Sequence, residues 1–296
     1  PGVHTITITG TIWGWRFDNR SDPLKLLNVS SWGPLSLIEG GDYFYGCENL
    51  DLSGVSDVLD VTGLKDLGGA FRNSGISSVN HMNSWDVSDV MYLDDTFYEA
   101  ESFDQDIGSW DVSDVRAMGN GHRGLFRYSS FNNGGSDSIK DWNVSKVEDM
   151  RWMLGWTPFN QPIGGWDVSS VEFMNGMFYK ADRFNQPIGG WDVSSVSDMS
   201  AMFRRANSFN QPLGSWDVSN VGRMRAMLYA TSFDQDVGSW NVSGVSDMTQ
   251  MFSKADLSTE NYDSLLNGWS GHSLQSGVPF GAGSSQYCQG ESARND

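Results

Sequence analysis

Across 296 residues the chain carries 19 Lys and Arg against 37 Asp and Glu, a net charge of −18, which disfavours the phosphate backbone of a nucleic acid or an anionic membrane surface as partner. Thirteen Trp and 16 Phe supply too much apolar surface for a disordered acidic chain, so the sequence folds. No segment approaches the roughly 18 consecutive apolar residues that membrane insertion needs.

The opening PGVHTITITG lacks a basic stretch and an apolar signal core, and it reads as a strand cut from a larger protein. Any export signal or anchor would therefore lie outside this sequence. Residues 1–39 are expected to form an N-terminal cap, and an internal repeat begins near residue 40. Its early, degenerate copies are marked by Phe44, Phe71 and Phe97; Trp85, Trp110, Trp142, Trp166, Trp191, Trp216 and Trp240 then recur at spacings of 25, 32, 24, 25, 25 and 24 residues. A period of this size signals a repeat array in which no single unit can bury its apolar face alone. The expected fold is an α/β repeat solenoid, leucine-rich-repeat-like, of about nine turns over 40–256, each a short parallel strand plus a short helix.

Within the clearest copy, FNQPIGGWDVSSVEFMNGMFYKAD (159–182), Val171, Met174, Met177, Phe178 and Ala181 fall at three- and four-residue intervals, the stripe of an amphipathic helix. Asp167 or Ser169 is placed to cap that helix, and Asn143 and Asn241 hold the Asp167 site in other copies, so the position serves geometry more than charge. The segment before each Trp reads as a strand, with Pro162, Pro187 and Pro212 breaking its ladder. The Trp positions are expected to form a core column rather than a platform for sugar rings.

One copy is expanded: MGNGHRGLF (118–126) and FNNGGSDSIKDW (131–142) are each four residues longer than their counterparts. Insertions in repeat proteins map to surface loops, so His122 and Arg123 are candidate binding residues. At the far end YDSLLNGW reads as a final helix and VPFGAGSSQYC as an extended segment, together a C-terminal cap over 257–296. Cys47 and Cys288 lie near opposite ends and are expected not to bond to each other within one elongated molecule.

The WDVSSV, DMSAMF and FNQPIGGW blocks closely resemble the BspA-like leucine-rich-repeat surface proteins, whose 25- or 26-residue repeat is also called the DUF285 repeat. That resemblance covers roughly 40–256, with GWRFDN, LKLLNVSSWG, LLNGWS and YCQGESAR resembling its flanking caps. It implies a secreted or cell-surface protein acting in adhesion or protein interaction, and it brings no catalytic motif.

Two carboxylate pairs, Asp104 with Asp106 and Asp234 with Asp236, are the remaining site candidates, since residues two apart on a strand share a face. They offer the least implausible acids for a polysaccharide hydrolase or lyase, but exposed repeat positions do not provide the apolar cleft that raises one carboxyl's pKa. Calcium is an open alternative at these or the Asp86, Asp111, Asp167, Asp192 and Asp217 positions, although no stretch has a DxDxDG loop. The four histidines lack metal-binding spacing, and no GxSxG elbow or phosphate-binding glycine loop is present. The expectation is a protein without catalytic activity or a required cofactor, extracellular or on a cell surface, recognising a protein or glycan on a host or neighbouring cell. A structural subunit that self-assembles is the rival outside the enzyme class.

Overall fold

The computed structural model describes residues 3–20 and 22–288; Pro1, Gly2, Ser21 and residues 289–296, where the expected C-terminal cap ends, lie outside it. Among the described residues there is one α-helix, α1 (Thr259–Ser270). The strands are β1 (Ile12–Trp13), parallel to β2 (Leu35–Ser36), and β3 (Gly119–Asn120), antiparallel to β4 (Arg123–Gly124). The expected α/β repeat solenoid of strand-plus-helix turns is therefore not what the chain forms. The repeats carry neither the predicted α-helix nor a continuous parallel sheet.

The reason lies in where the backbone amides go. In the stretch expected to be helical, Met174, Gly176, Phe178 and Lys180 donate their N–H groups to the carbonyls of Asp198, Ser200, Met202 and Arg204 in the following repeat. Between them, Met177, Tyr179 and Ala181 donate three residues back, to Met174, Gly176 and Phe178. An α-helix would send these amides four residues back within the same segment; here they close tandem turns and bond to the neighbouring repeat instead. Two positions per repeat are also left-handed, with φ of 68° and 55° at Gly176 and Lys180, 56° and 62° at Ala201 and Arg205, and 52° and 55° at Ala226 and Ala230. Such residues interrupt a right-handed helix.

The apolar stripe is nonetheless buried. Val171, Met174, Met177, Phe178 and Ala181 have no solvent exposure, because tandem turns return side chains to one side at nearly the interval a helix would. Parallel pairing between repeats shrinks to isolated bridges along one column, Asp66, Tyr92, Ala117, Asp149, Phe173, Asp198, Arg223 and Asp247. That column precedes each repeat's core Leu or Met and lies outside the segment before each Trp where the strand was expected.

Side chains replace the missing ladder. The carboxamide oxygens of Asn160 and Asn185 accept from the backbone N–H of Asn185 and Asn210, each at 3.0 Å, and Asn210 accepts from Asp234 at 2.9 Å. Gln186 and Gln211 donate to the carbonyls of Asn160 and Asn185. The Asn and Gln of FNQP thus satisfy the backbone groups that a sheet would have paired.

The tryptophans form a buried column that also joins repeats. From Trp110 onward each indole Nε1 donates to the carbonyl three residues before the preceding Trp, as in Trp191 to Ile163, Trp216 to Ile188 and Trp240 to Leu213, at 2.9 to 3.1 Å. The pattern continues into the C-terminal segment, where Trp269 of α1 donates to Val237 at 3.0 Å. The helix predicted from YDSLLNGW is present, and it delivers its Trp to the place a further repeat would have filled. Phenylalanines stack beside this column, with ring centroids 3.9 Å apart for Phe178 and Phe184 and 4.0 Å for Phe203 and Phe209. The Asp or Asn after each Trp caps a turn rather than a helix: Asp167, Asp192 and Asn143 accept from the N–H of the serine two residues on.

Candidate functional site

The two residues after each repeat's core Phe or Leu point away from the core, and successive repeats bring them side by side. The first position holds Tyr45, Arg72, Tyr98, Arg127, Gly155, Tyr179, Arg204, Tyr229 and Ser253; the second includes Glu99, Tyr128, Trp156, Lys180, Arg205 and Lys254. This makes a face on which cations lie against aromatic rings. The Arg72 guanidinium sits 4.2 Å from the Tyr45 ring and 5.9 Å from that of Tyr98. Arg127 lies 4.2 Å from Trp152 and 4.7 Å from Tyr128, Lys180 lies 3.5 Å from Trp156, and Arg204 sits between Tyr179 and Tyr229 at 5.8 and 4.8 Å.

Aromatic contacts close the gaps. Tyr98 meets Tyr128 at 5.7 Å, Tyr128 meets Trp156 at 4.9 Å, and Trp156 meets Tyr179 at 5.6 Å. In a chain of net charge −18, the two positions together carry Arg72, Arg127, Lys180, Arg204, Arg205 and Lys254 against the single carboxylate of Glu99. A cation held over a ring is partly ordered before any ligand arrives, which lowers the entropy lost on binding. Gly176 shows how tightly the face is built: a β-carbon there would stand 2.4 Å from the Trp152 ring.

The expanded segment reaches this face. His122 and Arg123 are exposed at the hairpin β3–β4, with the His122 ring edge-on to Trp152 at a 6.1 Å centroid distance. The Trp152 indole donates to the carbonyl of Gly121 at 3.1 Å, and Arg127 donates to that of His122. Arg123 reaches Asp95 at 3.0 Å, where Arg72 also arrives at 3.5 Å. Asp95 is almost fully buried, and its Oδ1 has no hydrogen-bond partner. Burial raises its carboxyl pKa, against the pull of the two arginines. Next to it Asp94, bonded by Asn120, is pushed up to about 6, chiefly by burial and then by the neighbouring Asp95 charge.

The two carboxylate pairs have structural partners and do not meet. Asp104 Oδ1 accepts from the N–H groups of Asn132 and Gly134 at 2.7 and 2.8 Å. Asp234 Oδ1 accepts from Ser258 and Asn261 at 2.8 Å each. Both occupy the asparagine ladder, separated along it by Asn132, Asn160, Asn185 and Asn210. Asp106 accepts from Gly108 and Ser138, and Asp236 from Gly238 and Ser264. Burial works to raise Asp106 and Asp234, but these hydrogen bonds outweigh it and hold both carboxyls below the usual range. That direction is opposite to what a general acid needs.

Among the described residues no group of three or more His, Cys, Asp and Glu is arranged to hold a metal ion. Cys47 is buried and Cys288 exposed, both as free thiols, and burial pushes the Cys47 thiol up to about 12.

Of the candidates from the sequence, His122 thus meets the face at the Trp152 ring, and Arg123 joins it through Asp95, the carboxylate that Arg72 also reaches. The sequence signal for the face was present in FYKAD, FRRAN, LYATS and FRYSS, two residues past each core Phe or Leu. It becomes visible only when the repeats are laid in register.

The family model described as "Mycoplasma protein of unknown function, DUF285" matches residues 65–172 and again 154–269, a span that takes in the face from Arg72 to Lys254. No curated protein and no solved structure matches the chain.

Proposed function

Because this chain belongs to the DUF285 family, we propose that it is a non-enzymatic binding protein, extracellular or attached to a cell surface, that recognises a protein or glycan through its cation and aromatic face. The observation that carries the reading is the continuity of that face from Tyr45 to Lys254 in a chain whose net charge is otherwise −18. Structural needs alone do not call for cations to gather where carboxylates are scarce. Interfaces are enriched in Tyr, Trp and Arg, which supply contact area and directed hydrogen bonds at modest entropic cost. The WDVSSV and FNQPIGGW blocks, with their likeness to BspA-like surface proteins, support adhesion as the setting.

The test is a chain carrying Lys180→Gln, Arg204→Gln, Arg205→Gln and Lys254→Gln together, applied to surfaces coated with matrix proteins or mucin glycans. Relative to the unaltered chain, attachment should fall cumulatively as the four changes are added, with circular dichroism and melting unchanged. Attachment that persists undiminished in the fourfold variant overturns the reading.

A further inference from the structure

Resting on the reading of this face as a binding surface, we propose that the open depression walled by Trp156, Lys180, Arg183, Arg205 and Asn207 takes an acidic saccharide, one bearing carboxylate or sulfate groups. Lys180, Arg183 and Arg205 supply three positive charges there and Asp182 the one carboxylate of the lining, a local balance of 3 − 1 = +2 inside a chain of −18. Among the described residues none of the three cations has an ion-pair partner.

Elsewhere the protein does pair its cations between repeats, as with Lys65 and Asp89, Lys146 and Asp114, or Arg116 and Glu148. With 37 acidic residues available, three neighbouring cations left unpaired mark a place where an external anion can supply the charge. Lys180 is already held over the Trp156 ring at 3.5 Å, so its ammonium is partly ordered before an anion arrives. Arg183 and Arg205 are exposed, and their planar forks suit the two oxygens of a carboxylate or the face of a sulfate.

The rest of the lining favours a sugar as the carrier of that anion. Asp182 accepts from the Asn207 side-chain amide at 3.0 Å, leaving the Asn207 carboxamide oxygen and the second Asp182 carboxylate oxygen to accept from hydroxyls. A nucleic acid would place dense phosphate charge against Asp182 and a strongly acidic body, whereas a saccharide with one anion per residue or fewer does not. An acidic peptide offers the anions but not the ring of hydroxyl donors that this mixture of acceptors can use.

The experiment is calorimetric titration of the intact chain, and of an Arg183→Gln/Arg205→Gln variant, with four probes: a hyaluronan octasaccharide, a chondroitin sulfate octasaccharide, a neutral chitin hexasaccharide and an octaglutamate peptide. Both substituted side chains are exposed, so the variant should melt like the parent. At least one acidic oligosaccharide should bind about tenfold or more tightly than the neutral one and the peptide, weaken as salt rises, and lose about tenfold in the variant, the effect of removing charge-assisted hydrogen bonds. Carboxylate-only or sulfate-only binding identifies which anion the site takes. Equal binding of the neutral sugar, equal binding of the peptide, no saccharide binding, or an unaffected variant overturns the inference. If no saccharide binds while the fourfold face variant still loses attachment to coated surfaces, the saccharide site falls and the binding face stands.

Discussion

One register position separates the region beside the expanded segment from the regular repeats. In the copy just before the expansion, the residue two before the core Phe is Asp95, on which Arg72 and Arg123 converge. In three of the later repeats the same position is Gly176, Ala201 and Ala226; Lys180 and Arg204 have aromatic neighbours, and neither they nor Arg205 has an ion-pair partner among the described residues. All four positions are left-handed, with φ of 61° at Asp95 and 68°, 56° and 52° in the others, so the backbone accepts either kind of residue and the side chain alone decides whether the cations are neutralised. The fold is common to both regions; the electrostatic availability of the face is not.

The comparison is sharpest where it should vanish. Trp142, beside the expansion, and Trp191, in a regular repeat, are both buried and both bond to the preceding repeat. Replacing either by Ala is expected to cost about 3–5 kcal/mol in chemical denaturation, and to a similar degree. A large difference between the two would mean that the expansion alters the core as well as the surface.

Asp95→Asn keeps the left-handed backbone and the volume but removes the charge that Arg72 and Arg123 share. A loss of about 1–3 kcal/mol is expected, from a mostly buried arginine left without its carboxylate. The neighbouring Asp94 gives this region a pH dependence opposite in sign to that of the regular repeats, where hydrogen bonds from Ser194 and Ser219 hold Asp192 and Asp217 below the usual range. The Asp94 carboxyl is raised to about 6 in the fold, so the folded state binds this proton more tightly than the unfolded chain does. The resulting stabilisation is complete below the ordinary carboxyl pKa of about 4 and is lost as pH rises through about 6. Asp94→Asn should abolish that component, seen as a melting difference between variant and parent that widens from pH 4 to pH 7 by at most about 2 kcal/mol.

The smallest effect on stability, and the most direct attempt to erase the distinction, is Ala226→Asp. The position matches Asp95, and Arg204 stands to it as Arg72 does to Asp95. An aspartate tolerates the left-handed backbone and should pair with Arg204, changing stability by no more than about 1 kcal/mol. Attachment through the face should nevertheless decline. If it does not, free charge on Arg204 is not what the face contributes.

Much of the interior was legible in the sequence. The Trp period, the buried stripe of Val171, Met174, Met177 and Phe178, the geometric role of the Asp and Asn after each Trp, and the final helix all follow from spacing and residue type. The element that carries the stripe was misread, because intervals of three and four residues arise from tandem turns as well as from a helix. Nothing local distinguishes them: Ala201, Arg205 and Ala226 are residues that favour helices, yet each is left-handed here. The amides of this stretch find their acceptors in the next repeat, about 24 residues away, and that choice is not encoded within one unit. The partners of Asp104 and Asp234 were hidden for a related reason, since a carboxylate in an asparagine ladder looks like a free acid until the neighbouring repeat is in place.

By itself, then, the sequence determined which residues are inside and which positions recur, since burial follows from periodic apolar character and capping from the chemistry of Asp, Asn and Ser. Only the tertiary structure decided what those residues build. Each repeat's backbone completes its hydrogen bonds on its neighbour, so the local conformation depends on a surface that one repeat does not contain. The same lateral register sets Arg204 between Tyr179 and Tyr229, residues 25 positions to either side of it in the chain, and so gathers a cationic face from an acidic sequence.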